Sequence, residues 1–302
     1  MNAIIKHFRK HWQLHAMLIP GVIVVLIFAY FPMYGLVIAF QHYVPARGFF
    51  GNQEWIGLGN FEFIFSMPNF ITVITNTLSI AIWKIVLRMV FPILVSLLLN
   101  EVIRLRFKKA IQTMIYFPYF ISWVVFAGIL VDILSQESGI VNDFLSFFGM
   151  GRHFFLGNKD LFQGTLIFTD TLKNFGFETV IYMAALTSID PTQYEAAAID
   201  GAGKIKQTIY ITLPGLSMII VLMLVLNLGN VLNAGFDQVF NLYSPAVYST
   251  GDIIDTYVYR LGLVDFQYGP ATAVGFFRSA VSMVLISVSY LCAYKFFDYR
   301  IF

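Results

Sequence analysis

The composition of this 302-residue chain is that of an integral membrane protein. Hydrophobic residues make up 58% of it and charged residues only 12%, about half the charged fraction of a typical soluble domain. The 19 basic and 17 acidic residues leave a net charge of +2, so the chain lacks the basic excess of a nucleic-acid-binding protein. The same composition argues against a cytosolic or secreted enzyme.

Six stretches are long and apolar enough to cross a membrane, which takes about 20 mostly apolar residues. The fourth is the least apolar, because it contains Asp170, Lys173 and Glu178. The pattern predicts an all-α membrane protein, a single transmembrane domain over residues 1–302 with six transmembrane helices. In chain order, the predicted spans cover residues 17–40, 70–99, 110–134, 162–186, 213–236 and 272–296.

The distribution of basic residues predicts the orientation of these spans. Lys and Arg accumulate in cytoplasmic loops, and eleven of the 19 basic residues fall on the side that holds both termini, against four on the other side. Both termini are therefore predicted to be cytoplasmic. The loop at residues 188–212 lies on the same side.

This cytoplasmic loop contains a short helix with a marked start and end. Asp190 is a good N-cap and Pro191 suits the first helical position, where its missing N–H costs nothing. Gly201 and Gly203 are suited to a left-handed stop. One face of the predicted helix consists mostly of small side chains, which allow close approach of a neighbour: Tyr194, Ala197, Ala198 and Gly201.

The same loop carries a family resemblance. Glu195-Ala196-Ala197, then Asp200-Gly201-Ala202, then Ile211, Leu213 and Pro214 resemble the EAA loop of the permease subunits of binding-protein-dependent ABC importers. The segments at 182–191 and 252–260 resemble the carbohydrate-uptake branch of that family. Thr208 departs from the pattern, which has an apolar or aromatic residue at that position.

The resemblance implies a fold, partners and a location. The fold is a type I ABC importer permease bundle in the bacterial cytoplasmic (inner) membrane. The implied partners are a second, homologous permease, an ATPase dimer and an extracellular or periplasmic solute-binding protein. The implied substrate is a carbohydrate, most simply an oligosaccharide, moved by alternating access; a non-sugar solute remains an alternative.

The resemblance also implies that the loop helix docks on the ATPase. The residues that carry over as this coupling helix are Glu195, Ala196, Ala197, Asp200 and Gly201. No cofactor is expected in this chain, because ATP and Mg²⁺ belong to the ATPase. The run from Gly201 to Lys204 is not a phosphate-binding loop, since Ala198 stands where an earlier Gly is needed and Ile205 where Ser or Thr is needed.

Polar residues on the fifth predicted span suggest a substrate path. At about 100° per residue their side chains share one helical face, and amides suit hydroxyl-rich ligands because they both donate and accept hydrogen bonds. The aromatic ring of Trp123 could cover a sugar. The alternative is that the asparagines join helices through hydrogen bonds. The predicted path residues are Asn227, Asn230, Asn233, Asp237 and Trp123.

Charged residues within the spans have two interpretations. Lys84 and Arg88 share a helix face and need acidic partners, for which Asp170 and Glu178 are available. An interhelical ion pair is favoured over a contact with the substrate. The alternative function from another class is a secondary transporter that uses these charges as an ion relay. The acids of residues 237–265, namely Asp237, Asp252, Asp255 and Asp265, outnumber Arg260 and predict a docking surface for the binding protein.

Catalytic and metal sites are not expected. His7, His11 and His15 repeat every fourth residue, but basic and aromatic neighbours favour an interfacial helix over a metal site. Cys292 is the only cysteine and cannot form an internal disulfide. A membrane-embedded enzyme would need a nucleophile or acid–base pair that the sequence does not supply, so a transport subunit is predicted.

Overall fold

The computed structural model describes residues 10–297, and these are mostly helical. A two-stranded antiparallel hairpin, β1 (Gln41–His42) and β2 (Glu54–Trp55), lies near the N-terminal end. The helices of four or more residues, in chain order, are α1 (Trp12–Phe40), α2 (Gly59–Ser66), α3 (Pro68–Asn100), α4 (Leu105–Phe120), α5 (Trp123–Ile133), α6 (Ile140–Phe147), α7 (Lys159–Leu186), α8 (Pro191–Ile199), α9 (Lys204–Gly229), α10 (Phe236–Leu242), α11 (Tyr248–Gly251), α12 (Ile254–Tyr259) and α13 (Tyr268–Phe297).

Within residues 10–297, four helices are long and apolar enough to cross a membrane. They are α1, α3, α9 and the first 24 residues of α13, and the bent pair α4–α5 makes a fifth if it counts as one span. Helix α7 covers the fourth predicted span and is 28 residues long. Its charged residues make it less apolar than those helices, as the sequence indicates.

The third predicted span differs from the structure, because residues 110–134 fall on two helices. Helix α4 ends at Phe120 and α5 begins at Trp123, and the two are bent by 106°. Pro118 weakens the last turn of α4 because it has no N–H to donate. Ser122 then starts a new helix by accepting a hydrogen bond from the backbone N–H of Val125 (3.4 Å).

The fifth predicted span, 213–236, is shifted in the structure. Helix α9 begins at Lys204, so the basic segment before Leu213 forms its first turns. A π-helical turn at Thr208–Thr212 precedes Pro214, where the ring cannot supply the usual backbone hydrogen bond. The helix ends at Gly229, seven residues before the predicted end.

The contacts divide the chain into two compact units. One contains residues 10–67 and 258–277. Its described core includes Asn60, whose side-chain amide donates to the backbone oxygens of Ala39 (2.9 Å) and Gln41 (3.0 Å). This ties α2 to the end of α1 and the start of the hairpin.

The other unit contains residues 68–257 and 278–297. In this unit α7 packs against α3 and α4. The backbones of α7 and α4 approach so closely at Gly176 that an added Cβ would lie 1.9 Å from the backbone oxygen of Ile115. Helix α10 packs against α5.

Candidate functional site

Helix α8 forms as the sequence predicts. The Asp190 carboxylate accepts a hydrogen bond from the backbone N–H of Thr192 (2.9 Å), which holds the pKa of Asp190 below its usual value. At the other end Gly201 is left-handed (φ +77°), and the backbone N–H of Ala202 donates to Ala197 (2.8 Å). This is a Schellman motif. Gly203, the second predicted stop, has φ −70° and is instead the N-cap of α9, which begins at Lys204.

No residue of α8 is buried. Of the five residues implied in coupling, Ala197 is half-buried and the other four are exposed; the neighbouring Ile199 is 87% exposed. The Tyr194 hydroxyl is hydrogen-bonded to the Thr212 hydroxyl (2.9 Å) and fixes one side of α8 against the start of α9. The helix is therefore held in place while most of its surface remains open.

A second candidate site is built around four charged residues on α3 and α7. Arg88 donates hydrogen bonds to Glu178, and Asp170 lies 3.6 Å from both Lys84 and Arg88. The Lys84 ammonium also donates to the backbone oxygen of Ala234 (2.6 Å). The cations and carboxylates thus compensate one another, which agrees with an interhelical ion pair and leaves no unpaired charge in this group for an ion relay.

Three of these residues, Lys84, Arg88 and Asp170, border a cavity of about 310 Å³. Its walls come from α3, α5, α7, α9 and the loop that follows α9, and polar side chains predominate. The cavity is lined by Ala81, Lys84, Ile85, Arg88, Trp123, Asp170, Asn174, Asn227, Asn230, Asn233, Ala234 and Gly235.

Four of the five predicted path residues line this cavity, but the helical-face argument for them holds only in part. Asn227 lies on α9, whereas Asn230 and Asn233 follow its end at Gly229 and reach the cavity from a turn. Asp237 lies in α10 and is not part of this lining, so its role in the path stays a prediction.

The hydrogen bonds of the asparagines bear on the alternative that they join helices. Asn227 donates to the backbone oxygen of Met223 (2.8 Å) and Asn230 to that of Leu226 (3.1 Å), both within α9. These bonds join no second helix. The side-chain oxygens stay available as acceptors beside the cavity.

Sequence reasoning missed Asn174 as a lining residue and favoured an ion pair over a substrate contact for Lys84 and Arg88. Asn174 follows Asp170 by four residues, so the two share one face of α7, and this spacing was the available signal. Asp170 is 5% exposed, and its Oδ2 has no hydrogen-bond partner within the described residues. This oxygen is buried and lies 3.6 Å from the Arg88 Nη1, so it belongs to the ion-pair network.

Trp123 is held in place by its surroundings. The Lys173 ammonium lies 5.4 Å from the centre of the Trp123 ring and donates to the backbone oxygens of Pro118 (3.1 Å) and Tyr119 (2.9 Å). A cation beside the free carbonyls of a helix end is favourable. Lys173 therefore stabilises the end of α4 and the ring that follows it.

Two other sequence predictions concern metal binding and the acidic docking surface. Within residues 10–297 there is no group of three or more His, Cys, Asp or Glu side chains arranged to hold a metal ion; His7 lies outside the described residues.

The predicted acidic docking surface was wrong for two of its four acids. Asp252 is buried and accepts a hydrogen bond from Thr256, and Asp255 is paired with Arg278.

Comparison with known proteins identifies the family. Residues 93–302 match the family described as "Binding-protein-dependent transport system inner membrane component". The chain belongs to this family. It is therefore an inner-membrane permease component of an ABC transport system and not its enzyme, and the resemblance noted in the loop at residues 188–212 is confirmed.

Individual relatives agree along nearly the whole chain. The chain is 41% identical to the polygalacturonan/rhamnogalacturonan transport system permease protein YteP of Bacillus subtilis, over 94% of this chain and 88% of that protein. A crystal structure of a bacterial ABC transporter involved in the import of the acidic polysaccharide alginate matches with 38% identity and a TM-score of 0.90, covering 97% of this chain and 99% of that one.

A further solved structure contains a binding protein. A bacterial alginate ABC transporter in complex with an alginate pentasaccharide-bound periplasmic protein matches with 38% identity and a TM-score of 0.87. The match covers 95% of this chain and 96% of that chain.

Proposed function

We propose that this chain is one of two homologous permease subunits of an ABC importer that moves an oligosaccharide into the cytoplasm by alternating access. The observation that carries this proposal is α8, a helix capped at both ends that carries the coupling run and has no buried residue. A helix that the chain fixes in place yet leaves uncovered is suited to dock on another subunit.

The proposed topology has six spans with both termini in the cytoplasm. Helices α1, α3, α9 and α13 and the bent pair α4–α5 supply five, and α7 supplies the sixth. Charged residues on a spanning helix are tolerated when they face the bundle interior and pair there. Asp170 and Glu178 of α7 do so with Lys84 and Arg88.

In the proposed mechanism the energy comes from a separate ATPase dimer, which binds ATP and Mg²⁺. Closure of that dimer moves α8, with Glu195 and Gly201 in the contact, and shifts the permease pair between two arrangements. A solute-binding protein delivers the substrate from outside.

The cavity between α3, α5, α7 and α9 is proposed as part of the substrate path. Amide side chains match sugar hydroxyls, and the indole of Trp123 offers an apolar face to a sugar ring. Arg88 is the more exposed cation at the cavity, with 30% of its side chain accessible against 6% for Lys84. Because YteP and the alginate transporter are named for acidic polysaccharides, we expect an acidic oligosaccharide.

The docking role of α8 is tested by charge substitution. Glu195→Lys and Gly201→Asp should leave the chain in the membrane but abolish ATP-driven uptake and release the copurifying ATPase. Glu137→Lys is the matched control, because it makes the same charge reversal at an exposed position outside α8. Normal uptake by both α8 variants would refute the docking role.

The path is tested with a pair of asparagines. Asn230→Leu should lower the uptake of oligogalacturonate while the complex still assembles. Asn241→Leu is the control, because Asn241 also bonds to the backbone oxygen four residues earlier (2.7 Å) but does not line the cavity. Equal uptake by the two variants would show that Asn230 is not part of the path. Import of neutral arabino-oligosaccharides alone would exclude an acidic substrate.

A further inference from the structure

Helix α6 buries a polar side chain and exposes apolar ones, which is the reverse of a helix on a water-exposed surface. Its one buried residue is polar: Asn142 is 0% exposed. The opposite face is apolar and open, with Ile140 68%, Phe144 63% and Phe147 85% exposed. At 100° per residue these three side chains fall within about 60° of one another, and Asn142 lies on the far side.

Asn142 attaches α6 to the end of α5. Its amide nitrogen donates to the backbone oxygens of Ser135 (2.9 Å) and His153 (3.0 Å), and its oxygen accepts from the backbone N–H of His153 (2.8 Å). Ser135 comes two residues after the end of α5 at Ile133. The side chain of a single buried residue therefore fixes α6 next to the point where α5 ends.

Helix α5 is apolar and ends at polar residues. Val124 and Val125 are 66% and 56% exposed, as expected of a helix in lipid, and the chain after Leu134 reads Ser135-Gln136-Glu137-Ser138. Polar residues directly after an apolar span mark the membrane–water boundary. Because α6 is tied to Ser135, it lies close to this boundary.

The charges around α6 also favour a lipid partner. Asp143 is at the edge of the apolar face, and Arg152 pairs with it (2.7 Å). The face itself carries no charge and no side-chain hydrogen-bonding group, so it lacks the charge complementarity that guides protein partners. Aromatic and aliphatic side chains opposite a polar face are typical of helices that lie in the membrane interface.

We propose that α6 lies flat in the membrane interface, with Ile140, Phe144 and Phe147 inserted between lipid acyl chains. The partner is the bilayer itself, in the leaflet where α5 ends. Such a helix anchors the loop between α5 and α7 at a fixed depth.

The test uses single cysteines in the full chain, reconstituted with its copurifying subunits in phosphatidylethanolamine–phosphatidylglycerol vesicles. In a Cys292→Ser background, Phe144→Cys and Phe147→Cys are labelled with an environment-sensitive fluorophore. Ser146→Cys is the control, because Ser146 is exposed on another face of the same helix. Each label is quenched either by lipids with a nitroxide on the acyl chain or by iodide in water.

The labels at Phe144 and Phe147 should show blue-shifted emission, strong quenching by the nitroxide lipid and a several-fold lower iodide quenching constant than the label at Ser146. Equal iodide quenching at all three positions would overturn the proposal. Protection that arises only after a solute-binding protein is added would overturn it as well, because a protein would then cover the face.

Discussion

Helices α7 and α1 place polar and apolar side chains in opposite ways. Helix α7 buries charged residues: Asp170, Lys173 and Glu178 are each 5% exposed. Helix α1 has no buried residue between Trp12 and Val25, although it is almost entirely apolar. The comparison shows that this chain buries charged side chains between packed helices and leaves an apolar helix exposed.

The physical reason is the surrounding solvent. A charged side chain at the centre of a lipid-facing helix costs about 2.5–3.5 kcal/mol, whereas inside the bundle Glu178 meets Arg88 and Asp170 meets Lys84. An apolar surface loses nothing by facing lipid tails, because lipid is as apolar as the side chains. Helix α1 therefore needs no cover from its own chain.

The largest effect is expected from breaking the ion pair of α7. Glu178→Leu leaves the Arg88 guanidinium without its hydrogen-bonded partner, and removal of one member of a buried pair costs about 3–5 kcal/mol. The measurement is unfolding of the purified chain in mixed micelles with increasing denaturing detergent.

The double variant Arg88→Met/Glu178→Leu is the control for this prediction. It removes both charges at once, so most of the lost stability should return. If the double variant were as unstable as the single variant, lost packing and not an unpaired charge would explain the effect.

The next effect is expected from placing a charge on α1. Val24 is 54% exposed in the middle of α1, and Val24→Arg should reduce membrane insertion by about 2.5–3.5 kcal/mol. Gln13→Arg, near the start of the helix, should insert normally. The inserted fraction is measured by protection from protease, and normal insertion of Val24→Arg would show that α1 is not surrounded by lipid.

The smallest effects are expected from two glycines of α7. Gly176→Ala places a Cβ against the backbone of α4 and should destabilise by about 1–3 kcal/mol. Gly164 has no neighbouring atom within 4 Å of an added Cβ, so Gly164→Ala should stabilise by about 0.5–1 kcal/mol through helix propensity. The same unfolding assay measures both, and unchanged stability of Gly176→Ala would contradict the close α4–α7 contact.

Local chemistry made parts of the structure predictable from sequence. The cap of α8 needed only Asp190 and Pro191 at its start and Gly201 at its end, because each acts on backbone groups within a few residues. Runs of apolar residues indicated α1, α3 and α13, because length and hydropathy are properties of each run by itself. The pairing of Lys84 and Arg88 with acids followed from the cost of leaving charges alone in a membrane.

The cavity was only partly predictable. The asparagines were identified as one polar group, but on the assumption of a helix that continues to residue 236. The chain instead turns after Gly229, and Asn230 and Asn233 reach the cavity from that turn. A one-dimensional pattern cannot show where a helix ends when the turn is held by distant groups, here the Lys84 ammonium bonded to the backbone oxygen of Ala234.

The sequence by itself determined that the chain is a membrane protein with a short capped helix between two apolar spans, because composition, apolar runs and capping residues act locally. Its resemblance to ABC importer permeases came from the residues of the loop at 188–212. Only the tertiary structure decided the 106° bend between α4 and α5, the pairing of α3 with α7 and the walls of the cavity. These features depend on contacts between residues more than 50 positions apart, such as Lys173 with Pro118 and Arg88 with Glu178. Their geometry exists only once the helices have packed.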